Sequence, residues 1–244
     1  MRIPRLYLSH PLIIDSEIEL EQSIARHVVQ VLRLKPGHPI ILFNGQGGEY
    51  KAELVVAEKR KAIAKIIEFN PIERESTLDL HLAIGISKGD RMDYAIQKAV
   101  EAGTNQFTPL ITEHCAFSIN KEKIPKRLAH WQNVIHSACE QSGRNKIPQL
   151  NSVTNFKNFC DENQQGLRLV LAPMAEKTLT SIQTLNPSAC TLCVGPEGGL
   201  SQLEIEQASQ CGFDVIRIGE RILRTETAAI VSVTALQILW GDLK

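Results

Sequence analysis

The sequence has no net charge, few aromatic residues and no long apolar run. Its 244 residues include 27 basic and 27 acidic side chains, which excludes a polybasic protein that binds nucleic acid through its whole surface. Aromatic residues make up 5% of the chain, too few for extensive base-stacking surfaces. The most apolar stretch, 228–240, has 13 residues and includes polar ones, whereas a membrane-spanning helix needs about 20. We therefore expect no membrane segment.

An export signal is also missing from the N-terminus. The first residues, MRIPRLYLSHP, contain two arginines and two prolines where a signal peptide has a continuous apolar segment. We therefore expect a cytoplasmic protein whose six cysteines are reduced thiols. Cys190 and Cys193 form a CxxC pattern inside an apolar run, but no second pair accompanies them. We expect no metal site.

Several motifs of nucleotide-binding and catalytic sites are absent as well. Neither GxGxxG nor GxxxxGK[ST] occurs, which leaves a dinucleotide or P-loop site without support. HExxH and GxSxG are missing too, so the patterns of zinc proteases and serine hydrolases are not present. His130 and His136 would fall on different faces of a helix, which indicates packing or surface histidines.

The first 70 residues predict a β-rich domain. Runs rich in β-branched residues predict strands at 39–43, 50–56 and 62–69, and apolar spacing predicts one helix at 21–32. Several short strands with little helix favour a small closed barrel, which leaves no exposed sheet edge. The Asn-Pro and ERES segments at 70–76 mark a linker.

From residue 77 the pattern alternates between strands and helices. Strands are predicted at 78–87, 107–112, 167–172, 191–194 and 214–218. Helices are predicted at 90–102, 126–141, 177–185, 201–210 and 225–239. Ser201 and Glu204 form a capping box, and Gly212 is a C-terminal stop for the same helix. Such alternation predicts a mostly parallel sheet with helices on both faces, in which ligands bind in loops at the carboxyl ends of the strands.

Three of these strand-end loops carry unusual residues. The first is Leu171-Ala172-Pro173, the second Gly195-Pro196-Glu197-Gly198-Gly199, and the third runs from Ile218 to Ala228. Three glycines in five residues let backbone come close to a ligand and leave its amides free to bind it. The second loop is equally compatible with a plain strand-to-helix turn.

At these loops the chain resembles a known family. GPEGGLSQLE, followed by RIGERILRTETAAIVSVTALQ, is similar to the SPOUT methyltransferases, and more narrowly to their RsmE type, the bacterial 16S rRNA (uracil-N3)-methyltransferases. RHVVQVLRLKPG, SKGDRMDYAIQKAVEAG and EQSGRNKIPQL extend the resemblance over most of the chain. One departure is visible at ITEH, where an arginine-containing segment is expected and Glu113-His114-Cys115-Ala116 stand instead.

The resemblance implies a fold, a reaction and partners. The expected fold is α/β: a SPOUT-type trefoil-knotted, parallel-sheet methyltransferase domain at 73–244, preceded by a small PUA-like β-barrel RNA-binding domain at 1–72. The expected reaction transfers a methyl group from S-adenosyl-L-methionine (SAM) to N3 of a uridine in the 16S rRNA of the small ribosomal subunit. The family works as a homodimer, and methyl transfer from a sulfonium requires no metal.

The resemblance also assigns the cofactor to the three loops. The expected SAM-binding residues are Leu171, Ala172, Pro173, Gly195, Glu197, Gly198, Gly199, Ile218, Gly219, Leu223 and Thr225. Their leucines and isoleucine suit the adenine, and their glycines leave backbone groups for the ribose and the methionine tail.

Charged residues in the loops are the expected catalytic groups. Arg221 and Arg224 carry permanent charges that suit a developing uracil anion or a neighbouring phosphate. Glu226 is a candidate for the general base or for a cofactor contact, as is Glu197. Arg224 and Glu226 are equally compatible with a salt bridge and cap at a helix N-terminus.

Local charge indicates where RNA binds. Residues 121–146 hold six basic side chains against two acidic ones, which favours salt-dependent RNA binding, although a solvated helix face has the same composition. The RNA-binding residues that we expect are Arg2, Arg5, His27, Arg33, Lys88 and Arg144.

Three other functions remain open at this point. A ribose 2′-O-methyltransferase would keep the fold and change the target atom. A non-catalytic RNA-binding assembly factor would keep the fold without needing GPEGG and LRTETA. A nucleotide-binding α/β enzyme unrelated to RNA would not need the β-rich domain.

Overall fold

A computed structural model describes residues 3–115, 121–162, 165–182 and 186–244. The chain forms two compact units. The first combines Met1–Glu75 with Cys139–Ile147, and the second combines Ser76–Ala138 with Pro148–Lys244. The sequence pattern gave no indication that 139–147 belongs to the first unit. The domain boundary between residues 72 and 73 stays a prediction.

The first unit contains a mixed five-stranded sheet. Its strands are β1 (Arg5–Tyr7), β2 (Glu17–Glu19), β3 (Pro39–Phe43), β4 (Glu49–Glu58) and β5 (Lys61–Asn70). They pair in the order β1-β3-β4-β5-β2, with β1 parallel to β3 and the other pairs antiparallel. The three strands predicted here are confirmed. Closure into a barrel stays a prediction, because β1 and β2 are not paired within the described residues.

One face of this sheet packs against a short helical segment. Helix α1 (Gln22–Arg26) continues as a π-helical turn at His27–Val31. The helix predicted at 21–32 is therefore present as an α-helical part followed by a π-helical part. Ala25 and Val28 are fully buried against Leu42, Leu54 and other apolar residues of the strands. The segment ends at Arg33, whose φ of 55° is left-handed and stops helical hydrogen bonding.

The second unit is built on an eight-stranded parallel sheet. Its strands are β6 (Asp79–Gly85), β7 (Gln106–Ile111), β8 (Gln149–Leu150), β9 (Thr154–Asn155), β10 (Leu167–Leu171), β11 (Lys177–Thr178), β12 (Ala189–Val194) and β13 (Asp214–Arg217). The order is β11-β13-β10-β12-β6-β7-β8, with β9 also paired to β7. Near-continuous burial along β6 and β12 is expected where helices cover both faces. The predicted parallel sheet is confirmed.

Five helices accompany this sheet within the described ranges. They are α2 (Asp90–Glu101), α3 (Ile124–Ser142), α4 (Phe156–Asp161), α5 (Gln202–Gln210) and α6 (Thr225–Trp240). The predicted capping box is present: Ser201 Oγ accepts from the Glu204 N–H, and the Glu204 carboxylate accepts from the Ser201 N–H. The last residues of α3, from Cys139 onward, belong to the first unit.

One predicted helix is wrong and one helix was missed. Lys177–Thr178 form β11 instead of starting a helix, and a single 3₁₀ turn follows at Leu179–Ser181. The Ser181 hydroxyl accepts from the Thr178 backbone N–H and donates to the Thr178 carbonyl, an alternative to helix that Ser and Thr commonly adopt. The predicted end of that helix, 183–185, lies outside the described residues. The missed helix α4 begins after Asn155, whose side chain accepts from the Asn158 N–H.

Within the described ranges, no helix is long and apolar enough to cross a membrane. The same ranges contain no cluster of three or more His, Cys, Asp or Glu side chains able to hold a metal ion. The trefoil knot stays a prediction.

Candidate active site

The three loops leave neighbouring strands of the parallel sheet at the same edge. Strand β10 lies between β13 and β12, and the loops at 171–173, 195–199 and 218–228 follow the carboxyl ends of these three strands. This is where ligands bind in open α/β sheets. Residues more than 40 positions apart in sequence are therefore brought to one sheet edge.

The first and third loops line an open pocket with a cavity volume of about 60 Å³. Its lining residues are Leu171, Ala172, Pro173, Ile216, Arg217, Ile218, Gly219, Arg221, Leu223 and Ala228. Most are apolar, with two arginines as polar exceptions, a composition typical of small-molecule sites. Six of the expected cofactor residues line it, whereas the glycine-rich second loop does not.

The second loop packs tightly on its neighbours. A Cβ at Gly198 would lie 2.7 Å from the His114 Cβ, and a Cβ at Gly85 would lie 2.4 Å from the Pro196 nitrogen. Both distances are shorter than real Cβ contacts, so only glycine allows this approach. The departure noted at ITEH therefore begins in a segment that contacts the second loop.

Glu197 in this loop is held by groups from the loop after β6. Its Oε1 accepts from the Lys88 backbone N–H at 3.0 Å and from Arg91 Nη1 at 3.2 Å. Burial by itself would raise the pKa of Glu197, but the hydrogen bonds from backbone N–H groups and the Arg91 charge outweigh it and lower that pKa below the ordinary value. A carboxylate held in its charged form is a weak proton acceptor.

The third loop places its charged groups differently. Arg221 and Arg224 are exposed, whereas the Oε2 of Glu226 is buried without a hydrogen-bond partner in the described ranges. Arg224 is the N-cap residue of α6 but makes no side-chain capping bond. No ion pair between Arg224 and Glu226 is present among the described residues. The structure therefore does not support the alternative in which Arg224 and Glu226 only pair with each other and cap α6.

Comparisons with known proteins identify the family. A model of the RNA methyltransferase domain matches residues 74–237, and a model of the RNA methyltransferase PUA domain matches 20–67. The ribosomal RNA small subunit methyltransferase E of Buchnera aphidicola is 37% identical over 99% of this chain and 98% of its own length. That of Bacillus subtilis is 30% identical over 88% and 89%. The chain belongs to the small-subunit rRNA methyltransferase E family.

Two solved structures agree with this family. The ribosomal RNA small subunit methyltransferase E of Neisseria gonorrhoeae, bound to S-adenosyl methionine, is 39% identical, covers both chains fully and has a TM-score of 0.92. A putative methyltransferase of Legionella pneumophila in complex with SAM is 40% identical with full coverage and a TM-score of 0.96. The predicted α/β parallel-sheet fold with an N-terminal PUA-like domain, the family and the type of enzyme are confirmed.

Among the predicted RNA-binding residues, two have a structural role in this family member. Arg5 forms a buried ion pair with Glu49. Arg144 is 4% exposed and binds the Glu75 carboxylate through Nε and Nη2, at 3.1 and 2.5 Å. A buried guanidinium that is already paired is a poor phosphate ligand, so we withdraw Arg5 and Arg144 from the RNA-binding set.

The other predicted RNA-binding residues keep that assignment as a prediction. His27, Arg33 and Lys88 are exposed, whereas Arg2 lies outside the described residues. The basic excess at 121–146 is partly neutralised, because Lys146 lies 3.8 Å from a Glu73 carboxylate oxygen and Arg144 is paired.

Two features of the site were missed by sequence reasoning. Arg91 and the Lys88 backbone N–H hold Glu197 across more than 100 residues of sequence, and no local motif indicates such a contact.

The CxxC residues, in contrast, behave as expected of core thiols. Cys190 and Cys193 are buried on β12, and burial raises the pKa of Cys190 to about 12, opposite to the shift that metal binding or redox activity requires.

Proposed function

We propose that this protein transfers a methyl group from SAM to N3 of a uridine in the 16S rRNA of the small ribosomal subunit, in the cytoplasm. The observation that carries the proposal is the full-length similarity to methyltransferase E of Neisseria gonorrhoeae, whose structure contains S-adenosyl methionine. In this proposal residues 1–72 dock the RNA and residues 73–244 carry out the transfer.

The lining of the pocket between the first and third loops suits parts of SAM. Leu171, Ile218 and Leu223 offer apolar walls for an adenine. Arg217 also lines the pocket, and its Nε is buried without a hydrogen-bond partner in the described ranges. A buried donor of this kind costs free energy unless a ligand or water satisfies it. SAM, when bound, supplies a sulfonium methyl group.

The remaining cofactor-binding residues have separate proposed roles. Ala172, Pro173 and Gly219 place backbone against the ligand, and buried Thr225 fixes the start of α6. Gly195, Glu197, Gly198 and Gly199 do not line the pocket, so we assign them to holding the second loop in position.

Methylation at N3 requires removal of a weakly acidic imide proton and stabilisation of the resulting charge. Both carboxylates have a buried Oε2 without a hydrogen-bond partner in the described ranges. Glu226 suits the first task better than Glu197, because Glu197 is paired with Arg91 and its pKa is lowered. Arg221 and Arg224 are exposed and suit the uracil oxygens or an adjacent phosphate. Each such donor contributes about 10²–10³ in rate where it meets developing charge.

Substitution of Arg224 tests this assignment. We expect Arg224→Ala to lower kcat on small subunits by about 100-fold with SAM affinity unchanged by calorimetry. Arg224→Lys, which keeps the charge, should recover part of the loss. Wild-type turnover by Arg224→Ala would remove this residue from the mechanism.

The reaction itself is tested with purified protein, methyl-labelled SAM and small ribosomal subunits that lack the modification. Nucleoside mass spectrometry should recover 3-methyluridine. Recovery of a 2′-O-methylated nucleoside would replace N3 with the ribose hydroxyl as the target. SAM binding without transfer to these subunits would reject this substrate, and absence of SAM binding would favour a non-catalytic assembly factor.

We also propose that the protein is a homodimer. Helix α6 exposes three large apolar side chains, Val231 at 40%, Ile238 at 54% and Leu239 at 43%. Val231 and Ile238 are seven residues apart and share one helix face. An exposed apolar face on a helix fits burial against a second copy of the chain.

A further inference from the structure

A second cavity lies on the first unit, apart from every residue considered so far for catalysis or RNA binding. It has a volume of about 500 Å³ and is formed by the helical segment 22–30 and the turn between β4 and β5. Its lining residues are Gln22, Ser23, Arg26, Gln30, Lys59 and Arg60. All six fall within the match to the RNA methyltransferase PUA domain.

The two walls of this cavity are fixed to each other. The Gln30 side-chain amide donates to the Lys59 carbonyl oxygen at 3.0 Å, which joins the π-helical turn to the β4–β5 turn. On the opposite side of the helical segment, Ala25 and Val28 are fully buried. Arg26 and Gln30 are four residues apart, so they face the same side of the segment. The cavity is therefore held open by the fold of this unit.

The cavity carries three positive charges without a carboxylate partner. Arg26, Lys59 and Arg60 are exposed, and none of them has an ion pair within the described ranges. Some other basic residues of the same unit are paired with acidic ones, as Lys51 is with Glu68 at 2.9 Å and Lys146 with Glu73 at 3.8 Å.

Acidic residues close in sequence do not line the cavity. Glu58 stands opposite Lys61 in the register of β4 and β5, and the Glu21 carboxylate lies 3.9 Å from the His10 Nε2. The cavity therefore concentrates positive charge on a chain with zero net charge, which attracts a polyanion.

We infer that this cavity, formed by Arg26, Lys59 and Arg60 with Gln22, Ser23 and Gln30, binds the sugar–phosphate backbone of the rRNA substrate. The inference rests on the proposed function for the identity of the RNA. The lining contains cations, amides and a hydroxyl, all of which donate to phosphate oxygens, and no aromatic ring on which a base would stack. The site therefore positions RNA without reading its sequence.

The test compares two triple variants with equal loss of charge. The site variant is Arg26→Gln, Lys59→Gln, Arg60→Gln. The control is Lys51→Gln, Lys157→Gln, Lys177→Gln, whose three lysines are exposed and paired with acidic residues. Binding to 16S rRNA and to an unrelated RNA of equal length is measured by filter binding over a range of salt concentrations. SAM affinity is measured by calorimetry.

For the site variant we expect the slope of log affinity against log salt to fall by about 2 to 3, roughly one for each lost phosphate contact. The loss should be similar for both RNAs, and SAM affinity should be unchanged. The control should keep a slope closer to that of the wild type. Equal slopes for the two variants, or a wild-type protein that binds neither RNA, would overturn the inference.

Methyl transfer by the same proteins separates this inference from the proposed function. With small subunits as substrate, the site variant should show a raised KM and a kcat close to that of the wild type. If the wild type transfers methyl groups and the site variant keeps its salt slope, the function stands and the inference fails. If the site variant loses slope but the wild type methylates nothing, the cavity stands and the proposed function fails.

Discussion

Glu197 shows how one side chain can link two loops of the site. Its carboxylate accepts from the Lys88 N–H and from Arg91, and it follows a strand, β12, that is adjacent to β6 in the sheet. Glycine at 85 allows the residues after β6 to approach the second loop at Pro196. Glu197 is therefore assigned a positioning role, and its charge is the property that matters.

Removal of this charge should destabilise the protein in a pH-dependent way. Because the folded-state pKa of Glu197 is lowered, its contribution is present above the ordinary pKa of about 4.5 and is lost as pH falls through the folded-state pKa. We expect Glu197→Gln to cost about 1 kcal/mol in urea unfolding at pH 7, with a smaller difference from wild type at pH 3.5. Glu176→Gln, at an exposed position, is the control. A cost that is the same at both pH values would contradict this role.

Arg144 was expected to contact RNA, but the structure assigns it to the interior of the first unit. It joins Glu75 at the end of one chain segment to the segment 139–147. A charge count over 121–146 cannot distinguish a buried pair from a surface patch, because the partner lies 69 residues away in sequence.

Breaking this pair should be costly, whereas removing both charges should not. We expect Arg144→Met alone to lower the free energy of unfolding by about 3–5 kcal/mol, because the Glu75 carboxylate is left buried and unpaired. The double variant Arg144→Met, Glu75→Leu should be close to wild type in stability and in RNA affinity, as measured by urea unfolding and filter binding. Loss of RNA affinity in a stable double variant would return Arg144 to the RNA-binding set.

At the scale of elements, helix α6 is anchored at its C-terminal end by a buried glutamine. Gln237 has no exposed surface. Its Oε1 accepts from the Ser76 hydroxyl at 2.6 Å, and its Nε2 donates to the Gly103 carbonyl at 3.2 Å. The helix is thus tied to the residues before β6 and after α2, while its N-terminal end carries Arg224 and Glu226.

Removal of the glutamine should expose a coupling between these elements. We expect Gln237→Leu to cost about 1–3 kcal/mol, since it leaves the Ser76 hydroxyl and the Gly103 carbonyl without this partner. In a double-mutant cycle with Ser76→Ala, unfolding measurements should give a coupling energy of about 0.5–2 kcal/mol. Additive costs would mean that the two side chains act independently.

The elements also show which sequence patterns were informative. Strands β6, β7, β10, β12 and β13 and helices α2 and α6 were predicted within a few residues, because apolar runs and helical spacing of apolar residues specify them locally. The short strands β1, β2, β8 and β9 contain two or three residues each, and their pairing depends on partners elsewhere in the chain. The helix predicted at 177–185 failed because the Ser181 side chain bonds to the Thr178 backbone.

At the scale of the whole molecule, the site residues show the same contrast between features specified by local sequence and features that depend on distant partners. The three loops were predicted from the alternation of strands and helices, with their cofactor role implied by the family resemblance, and the structure brings them to one edge of the sheet. The cavity of Arg26, Lys59 and Arg60 was not predicted, because its walls come from a helical segment and a β-turn that are distant in sequence and are joined by a hydrogen bond from the Gln30 side chain. Sequence patterns thus indicate a site in the loops at the ends of neighbouring strands, but they miss a site whose walls are joined by a hydrogen bond between residues distant in sequence.

The oligomeric state is the prediction that concerns the complete protein. If the exposed face of α6 is covered by a second copy, light scattering should give twice the chain mass of 27.2 kDa. We expect Ile238→Glu to shift the protein towards the monomer, since a charge within an apolar interface is expensive to bury. Leu203→Glu is the matched control, because Leu203 is 73% exposed on α5 and should leave the dimer intact. A wild-type monomer would mean that the apolar face of α6 has another partner, and it would confine the methyl-transfer site to residues of a single chain.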